Sequence, residues 1–218
     1  MSEQKREPLT SPKGVAKWIT INQPDTKFKD EGEYRVSLLL KGKDADTLKA
    51  KIDEAIRLSI VEAKANKDNA KHKTIKASQY VPYAADTDKE GNETGFTAFK
   101  FTAKASGVSK KTKKEWTFKP RVFDAKGVPM NIDKTQVWGG STVKVAFEIV
   151  PYGVRQYSPT MGVGVSLKFS AVQILDLKTG TGKDAKAFGF GEEEGYSQGA
   201  FTDAEAESAQ AGDESEEF

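Results

Sequence analysis

Two kinds of side chain in this sequence have the chemistry to hold a ligand: aromatic rings placed off the apolar alternation, and lysines gathered in short runs. In "VAKWITI" (15–21), Val15, Ile19 and Ile21 share one phase, while Trp18 and Thr20 take the other. In "FTAFKFTAKA" (96–105) the phase opposite the core carries Phe96, Ala98, Lys100, Thr102 and Lys104. The next stretch, "SGVSKKTKKE", adds Lys110, Lys111, Lys113 and Lys114 at a hairpin tip. "PYGVRQYSP" (151–159) sets Tyr152 and Tyr157 on either side of Arg155 in what reads as one exposed loop. Lysines contact phosphates, and each neutralised phosphate releases counterions, so affinity becomes salt-sensitive. Flat rings stack on unpaired bases for about 1–3 kcal/mol per base, whatever the base. Together they suit a single nucleic-acid strand. Any one of these rings can equally cover a barrel end, and the lysine hairpin can equally be a solvated turn; the residues alone leave both readings open.

Enzymatic signals are weak by comparison. The one histidine, His72, lies in the charged segment "NAKHKTIK", where an exposed imidazole is a surface residue far more often than a catalytic base. "GTGKD" (180–184) fails as a phosphate loop, because Leu177 stands where that motif needs glycine and Asp184 where it needs Ser or Thr. There is no cysteine, which removes disulfides, thiolate metal sites and thiol nucleophiles. Carboxylates gather at the C-terminal end rather than on strands, where a metal would need them held. No enzyme activity, cofactor or metal site is expected.

The elements that would carry the rings and lysines are strands. "YRVSLLL" (34–40) alternates with Tyr34, Val36, Leu38 and Leu40 on one face, and "STVKVAFEIV" (141–150) with Val143, Val145, Phe147 and Ile149 inward. "WTFKPRVF" (116–123) reads as a further strand. "VGVSLKFSAVQIL" (163–175) begins with Val163, Val165, Leu167 and Phe169 in phase and then slips to Val172 and Ile174, the mark of a bulge near Ser170–Ala171. The 44–66 segment changes period: Leu48, Ile52, Ala55, Ile56, Ile60 and Ala63 form a helical stripe, capped by Asp44 or Asp46. "DTDKEGNETG" is a turn. About six strands with short turns and one flanking helix fit an all-β core of OB-fold type, a five- to six-stranded Greek-key barrel. A β-sandwich is the second choice. Residues 1–13 read as a flexible arm, 14–177 as the barrel domain, and 178–218 as a flexible acidic tail.

Charge divides the chain the same way. Ten acids and no basic residue lie between Glu192 and Phe218, while thirty-four basic residues and twenty-two acids precede them, a net of +12. A basic body attracts polyanions, duplexes included. The helix balances acids against bases and does not read as a recognition helix, so single strands suit the chain better than a major groove. No stretch is apolar or long enough for a signal or a membrane span. The end, "AGDESEEF", sets the ring of Phe218 among Asp213, Glu214, Glu216 and Glu217, an arrangement that mimics a base among phosphates.

Several stretches, in order and at matching spacing, resemble the single-stranded DNA-binding proteins of T-seven-type bacteriophages. They are "FKF" (99–101), "KKTK" (110–113), "DAKG" (124–127), "GGSTVKV" (139–145) leading into "VPY" (150–152), "GVGVSLKFSAVQILDL" (162–177) and the acidic end closing in phenylalanine. The strand "EWTFKPRVF" departs from the family's more aliphatic version. The resemblance implies an OB fold, DNA contacts at Lys100 and Tyr152, and Trp18 where the family has another aromatic. It implies work in replication and recombination in the cytoplasm of an infected bacterium, and often a homodimer. It also implies that the tail docks replication proteins, a DNA polymerase and a helicase–primase, through its last residues.

Overall fold

The computed structural model describes residues 8–27, 30–109, 111–133 and 135–178. The acidic end, with Asp213, Glu214, Glu216, Glu217 and Phe218, lies outside the described residues, as do Lys110 and the "GTGKD" segment. The backbone forms β1 (Leu9–Thr10), β2 (Gly14–Asp25), β3 (Glu33–Leu40), α1 (Gly42–Ala65), β4 (Tyr83–Thr87), β5 (Glu93–Lys104), β6 (Ser106–Val108), β7 (Glu115–Thr117), β8 (Arg121–Phe123), β9 (Thr142–Tyr152) and β10 (Gly164–Asp176). The result is mostly β-sheet with one long helix.

Five strands pair in a closed ring. β2, β3 and β5 follow one another antiparallel, β5 meets β10 in parallel, β10 lies antiparallel to β9, and β9 returns to β2 through Gly14↔Val143 and Val15↔Thr142. β1 extends the β9 edge, β8 the β10 edge, and β4 pairs with β5. The inward phases of β3, β5, β9 and β10 fill the ring: Leu38, Phe99, Phe101, Phe147, Leu167 and Phe169 are all fully buried. Phe101 and Phe147 meet edge to face with centroids 5.0 Å apart. Helix α1 adds Leu48 and Ile52 to this core, and packs against β9, β10 and β5.

The alternations read in β3, β5 and β9 hold in the structure, and β10 shifts register between Phe169 and Ala171. Other expectations change. Val15 is not a core residue: Ala16 takes that position, and the register shifts between Ala16 and Trp18. The extra residue, Lys17, returns Ile21 to the core and turns Trp18 outward. The 116–123 stretch is two short strands, because Pro120 cannot continue a ladder. β7 pairs with β6, and β8 with β10. Neither Asp44 nor Asp46 caps the helix. Its N-cap is Lys41, with no side-chain cap bond, and Asp44 sits in the first turn, where a negative charge still favours the helix dipole. The first residues are not wholly an arm: β1 pairs with β9, and Ser11 is buried with its hydroxyl accepting from the Val145 N–H at 2.9 Å.

Phe101→Ala removes a fully buried ring and is expected to cost about 3–5 kcal/mol. Trp18→Ala removes a larger ring from the outer face and is expected to change stability by no more than about 0.5 kcal/mol. Denaturant unfolding of both variants checks this contrast, and a Trp18→Ala loss as large as that of Phe101→Ala contradicts the outward phase.

Candidate nucleic-acid interface

Register places the outward residues of three strands in rows. Trp18 on β2 pairs with Ser37 on β3, which pairs with Lys100 on β5. The next row is Thr20, Arg35 and Thr102, and the row beyond it sets Glu33 beside Lys104. Because side chains alternate between the two faces of a strand, all of these point away from the core. Trp18 is 67% exposed. Lys100 is exposed and has no ion pair among the described residues.

These rows form the floor and one wall of a groove of about 450 Å³, lined by Trp18, Arg35, Ser37, Ala98 and Lys100 on one side and by Val81–Ala84 on the other. The second wall is the approach to β4, a strand the sequence pattern does not reveal. Two pins hold it. Tyr83 packs on Phe99 and donates its hydroxyl to Asp53 of α1 at 2.7 Å. Burial first, and then the Asp53 carboxylate that accepts from it, push the Tyr83 phenol up to about 12. The other pin reaches across the groove. Lys17, the bulged residue of β2, places its ammonium 2.6 Å from Asp86 Oδ1 and 2.7 Å from the Thr87 carbonyl on β4.

Asp86 is 6% exposed and also accepts from the Thr94 hydroxyl at 2.8 Å. Burial pushes its carboxyl up, but Lys17 and Thr94 outweigh that and hold it below its usual range. An aspartate with a lowered pKa adds stability that is full above its ordinary value, declines as pH falls below that, and is gone once pH has fallen through the lowered value. Asp86 lies where the β4–β5 register slips, between Ala85 and Thr87. The ion pair thus joins two irregular points on strands that are not neighbours in the sheet.

Arg35 is a groove residue the sequence reading missed, although it sits on the outward phase of "YRVSLLL". Its Nη2 donates to Glu33 at 3.1 Å, and its Nε is buried without a hydrogen-bond partner among the described residues. A guanidinium lining the groove suits an anionic or carbonyl-bearing ligand.

The remaining expected site residues fall in different places. Lys104 belongs to the same outer face, about 13 Å along β5 from Lys100, and pairs with Glu31 at 2.7 Å. Lys111 and Lys113 are exposed on the turn joining β6 and β7, with Lys113 at a positive φ of 56°. Tyr152 ends β9 half-buried. Its hydroxyl donates to the Tyr80 carbonyl at 3.0 Å, beside the second wall of the groove. Arg155 is exposed.

Tyr157 is a correction. It is 7% exposed, its hydroxyl accepts from the Lys76 N–H at 3.2 Å, and its ring meets His72 edge to face at 5.0 Å. The cause is Asn69, buried at the end of α1. Its side-chain amide donates to the carbonyls of Ala63 and Val154 and accepts from the Tyr157 N–H, drawing the loop onto the helix. A ring held this way is packing, and is not free to stack. Among the described residues no group of three or more His, Cys, Asp or Glu side chains could hold a metal ion, and no helix is long and apolar enough to cross a membrane.

A ring of strands that carries a groove with an exposed indole and a lysine in its lining presents a binding surface. The chain belongs to the family described as "Single-stranded DNA-binding protein, Bacteriophage T7", which matches residues 13–177. The single-stranded DNA-binding protein of Escherichia phage T7 is 31% identical over 192 residues, covering 81% of this chain and 79% of that protein. The protein of the same name from Enterobacteria phage T3 is 29% identical over 199 residues, covering 84% and 83%. Among solved structures, a single-stranded DNA-binding protein encoded by bacteriophage T7 superimposes with a TM-score of 0.65 at 26% identity, over 89% of this chain and all of that one. The single-stranded DNA-binding protein of bacteriophage Enc34, in complex with single-stranded DNA, shares the fold at a TM-score of 0.54 and 16% identity, over 80% and 89%.

The pin across the groove makes a thermodynamic prediction. Asp86→Asn leaves the Lys17 ammonium facing a neutral partner and is expected to cost about 1–3 kcal/mol. Lys17→Met together with Asp86→Asn should cost less than the sum of the single changes, with a coupling of at least about 0.5 kcal/mol. Additive losses in denaturant unfolding would mean that the pair does not act as a unit.

Proposed function

We propose that this protein binds single-stranded DNA without sequence preference, in the groove between the outer face of β2–β3–β5 and the Val81–Ala84 wall. The observation that carries the reading is the row Trp18–Ser37–Lys100, which sets an exposed ring and an unpaired ammonium across one strand from each other. A base stacks on the indole while Lys100 meets the phosphate beside it, and Arg35 supplies a further donor from the next row. Membership of a family whose proteins are named for single-stranded DNA binding supports this.

We extend this proposal to the whole chain. The five-stranded ring, with β5 and β10 parallel and the other pairs antiparallel, is an OB-fold barrel spanning 14–177. Lys104, Lys111, Lys113 and Arg155 extend the electrostatic track beyond the groove, and Tyr152 braces its second wall. The segment 178–218 is an acidic regulatory tail. When DNA is absent its ten carboxylates compete for the basic face; DNA displaces them and frees Asp213, Glu214, Glu216, Glu217 and Phe218 to dock replication proteins, a polymerase and a helicase–primase, in phage replication and recombination. The protein acts in the cytoplasm of the infected host, without a cofactor and without catalysis, and pairs as a homodimer.

The test is fluorescence anisotropy with labelled oligonucleotides, single- and double-stranded, across a salt series. Single strands should bind more tightly than duplex at every salt concentration, and Lys100→Ala should reduce the salt slope by about 0.7, as for one lost phosphate contact to a single strand. Equal affinity for both forms would overturn the groove reading. Removing residues 192–218 should tighten binding, most at low salt. Unchanged affinity there would remove the competition role from the tail.

A further inference from the structure

The chain has three tryptophans, and none lies in the core: Trp18, Trp116 and Trp138 are 67%, 38% and 50% exposed. Indoles are among the most buried side chains on average, so each exposed one asks for a reason. Trp18 borders the groove. Trp116 has a structural partner, since its ring lies against the backbone of Gly107, where an added Cβ would stand 2.9 Å from it. Trp138 has neither: among the described residues nothing gives its indole a hydrogen bond or a ring contact.

Its backbone, by contrast, is fixed. Ile132 and the 135–141 stretch lie along the edge of β2 that faces away from β3. Asn22 donates its side-chain amide to the carbonyls of Ile132 and Thr135 and accepts from the Val137 N–H at 3.1 Å. Further along, Gly139 lies so close to Lys17 that a Cβ would stand 2.6 Å from the Lys17 carbonyl oxygen, and the Gly140 N–H donates to Ala16 at 2.8 Å. Trp138 therefore stands between the Asn22 and Lys17 contacts, beside the stretch of β2 that carries Trp18. Its own N–H donates to the Lys178 carbonyl at 3.2 Å, and its carbonyl accepts from the Ser141 hydroxyl at 2.8 Å. Gly140, at a φ of +93°, holds a turn that other residues rarely adopt. A turn bonded at Val137, Trp138, Gly140 and Ser141 and built on two glycines presents an indole that contributes little to the core.

Resting on the groove reading above, we infer that Trp138 is a second stacking platform, taking an unpaired base of the same strand next to the one at Trp18. The Gly140 N–H bond to Ala16 and the close approach of Gly139 to Lys17 hold the Trp138 backbone beside the stretch of β2 that carries Trp18, within reach of one extended strand. Stacking on an aromatic face accepts any base, so the platform lengthens the site without adding sequence preference. The groove then continues over the β2 edge instead of ending at Trp18. The bulge at Lys17 serves both rings: it turns Trp18 outward, and its carbonyl is the surface against which Gly139 seats the Trp138 turn.

The experiment uses the full chain. In a Trp18→Phe, Trp116→Phe background Trp138 is the sole indole fluorophore, and oligothymidylate should quench its emission in step with anisotropy-measured binding. Unchanged emission with DNA bound overturns the inference. In the otherwise unaltered chain, Trp138→Ala should weaken oligonucleotide binding about 5- to 150-fold, as expected for one lost stacked base, while Trp138→Phe retains most of the affinity and thermal unfolding stays unchanged. Trp18→Ala is the control. If it weakens binding and Trp138→Ala does not, the second platform fails alone; if neither weakens binding, the groove reading fails with it.

Discussion

A β-strand shows alternate residues to opposite faces, so a single inserted residue decides which side every later side chain takes. In β2 that residue is Lys17. Were Lys17 paired regularly instead of bulged, Trp18 would share the phase of Ala16 and point into a ring already filled by Phe101, Phe147 and Leu38. With the bulge, Ile21 enters the core and Trp18 stands on the outer face in line with Ser37 and Lys100. The same residue sends its ammonium to Asp86 and its carbonyl to Gly139. One bulge thus sets the first wall of the groove, pins the second wall, and seats the turn that carries Trp138.

The groove wall formed by Val81–Ala84 depends on contacts that are distant in sequence. Tyr83 is tied to Asp53 thirty residues away, and Asp86 to Lys17 across sixty-nine. Such a wall is held at two points and is bonded along β5 by only a short ladder. Its position is set by polar pairs whose partners are specific, together with the packing of Tyr83 on Phe99. That division fits a binding surface: the aromatic interior of the ring keeps the floor rigid, while the wall is set by a few interactions that fix its position.

Much of the ring was legible because its strands alternate cleanly. The phases of β3, β5 and β9, and the slip in β10 at Ser170–Ala171, follow from apolar residues at every second position. The β5 phase also gave Lys100 as an outward residue, and the Ile19–Ile21 alternation of β2 gave Trp18. The bulge at Lys17 was not legible, because Val15 and Ala16 are both apolar and either phase reads as a core strand. β4 was hidden because "YAADT" has no alternation of its own and gains its place from β5, Asp53 and Lys17. Tyr157 was misread for a related reason: its burial follows from Asn69, eighty-eight residues away in sequence, and nothing in "PYGVRQYSP" encodes it. Arg35 had a signal, the outward phase of β3, but a single cation between two apolar residues attracts less notice than a run of lysines. Trp138 had only the adjoining pair Gly139–Gly140.

The central claim is that a single strand runs over the outer face of β2–β3–β5 against the β4 wall. Photocrosslinking of an iodouracil-substituted single strand, followed by peptide mapping, tests it most directly. The account predicts crosslinks to Trp18 and to the groove-lining segments of β2, β3, β5 and residues 81–84. Crosslinks confined to α1 or to β8, with none on these strands, would contradict it.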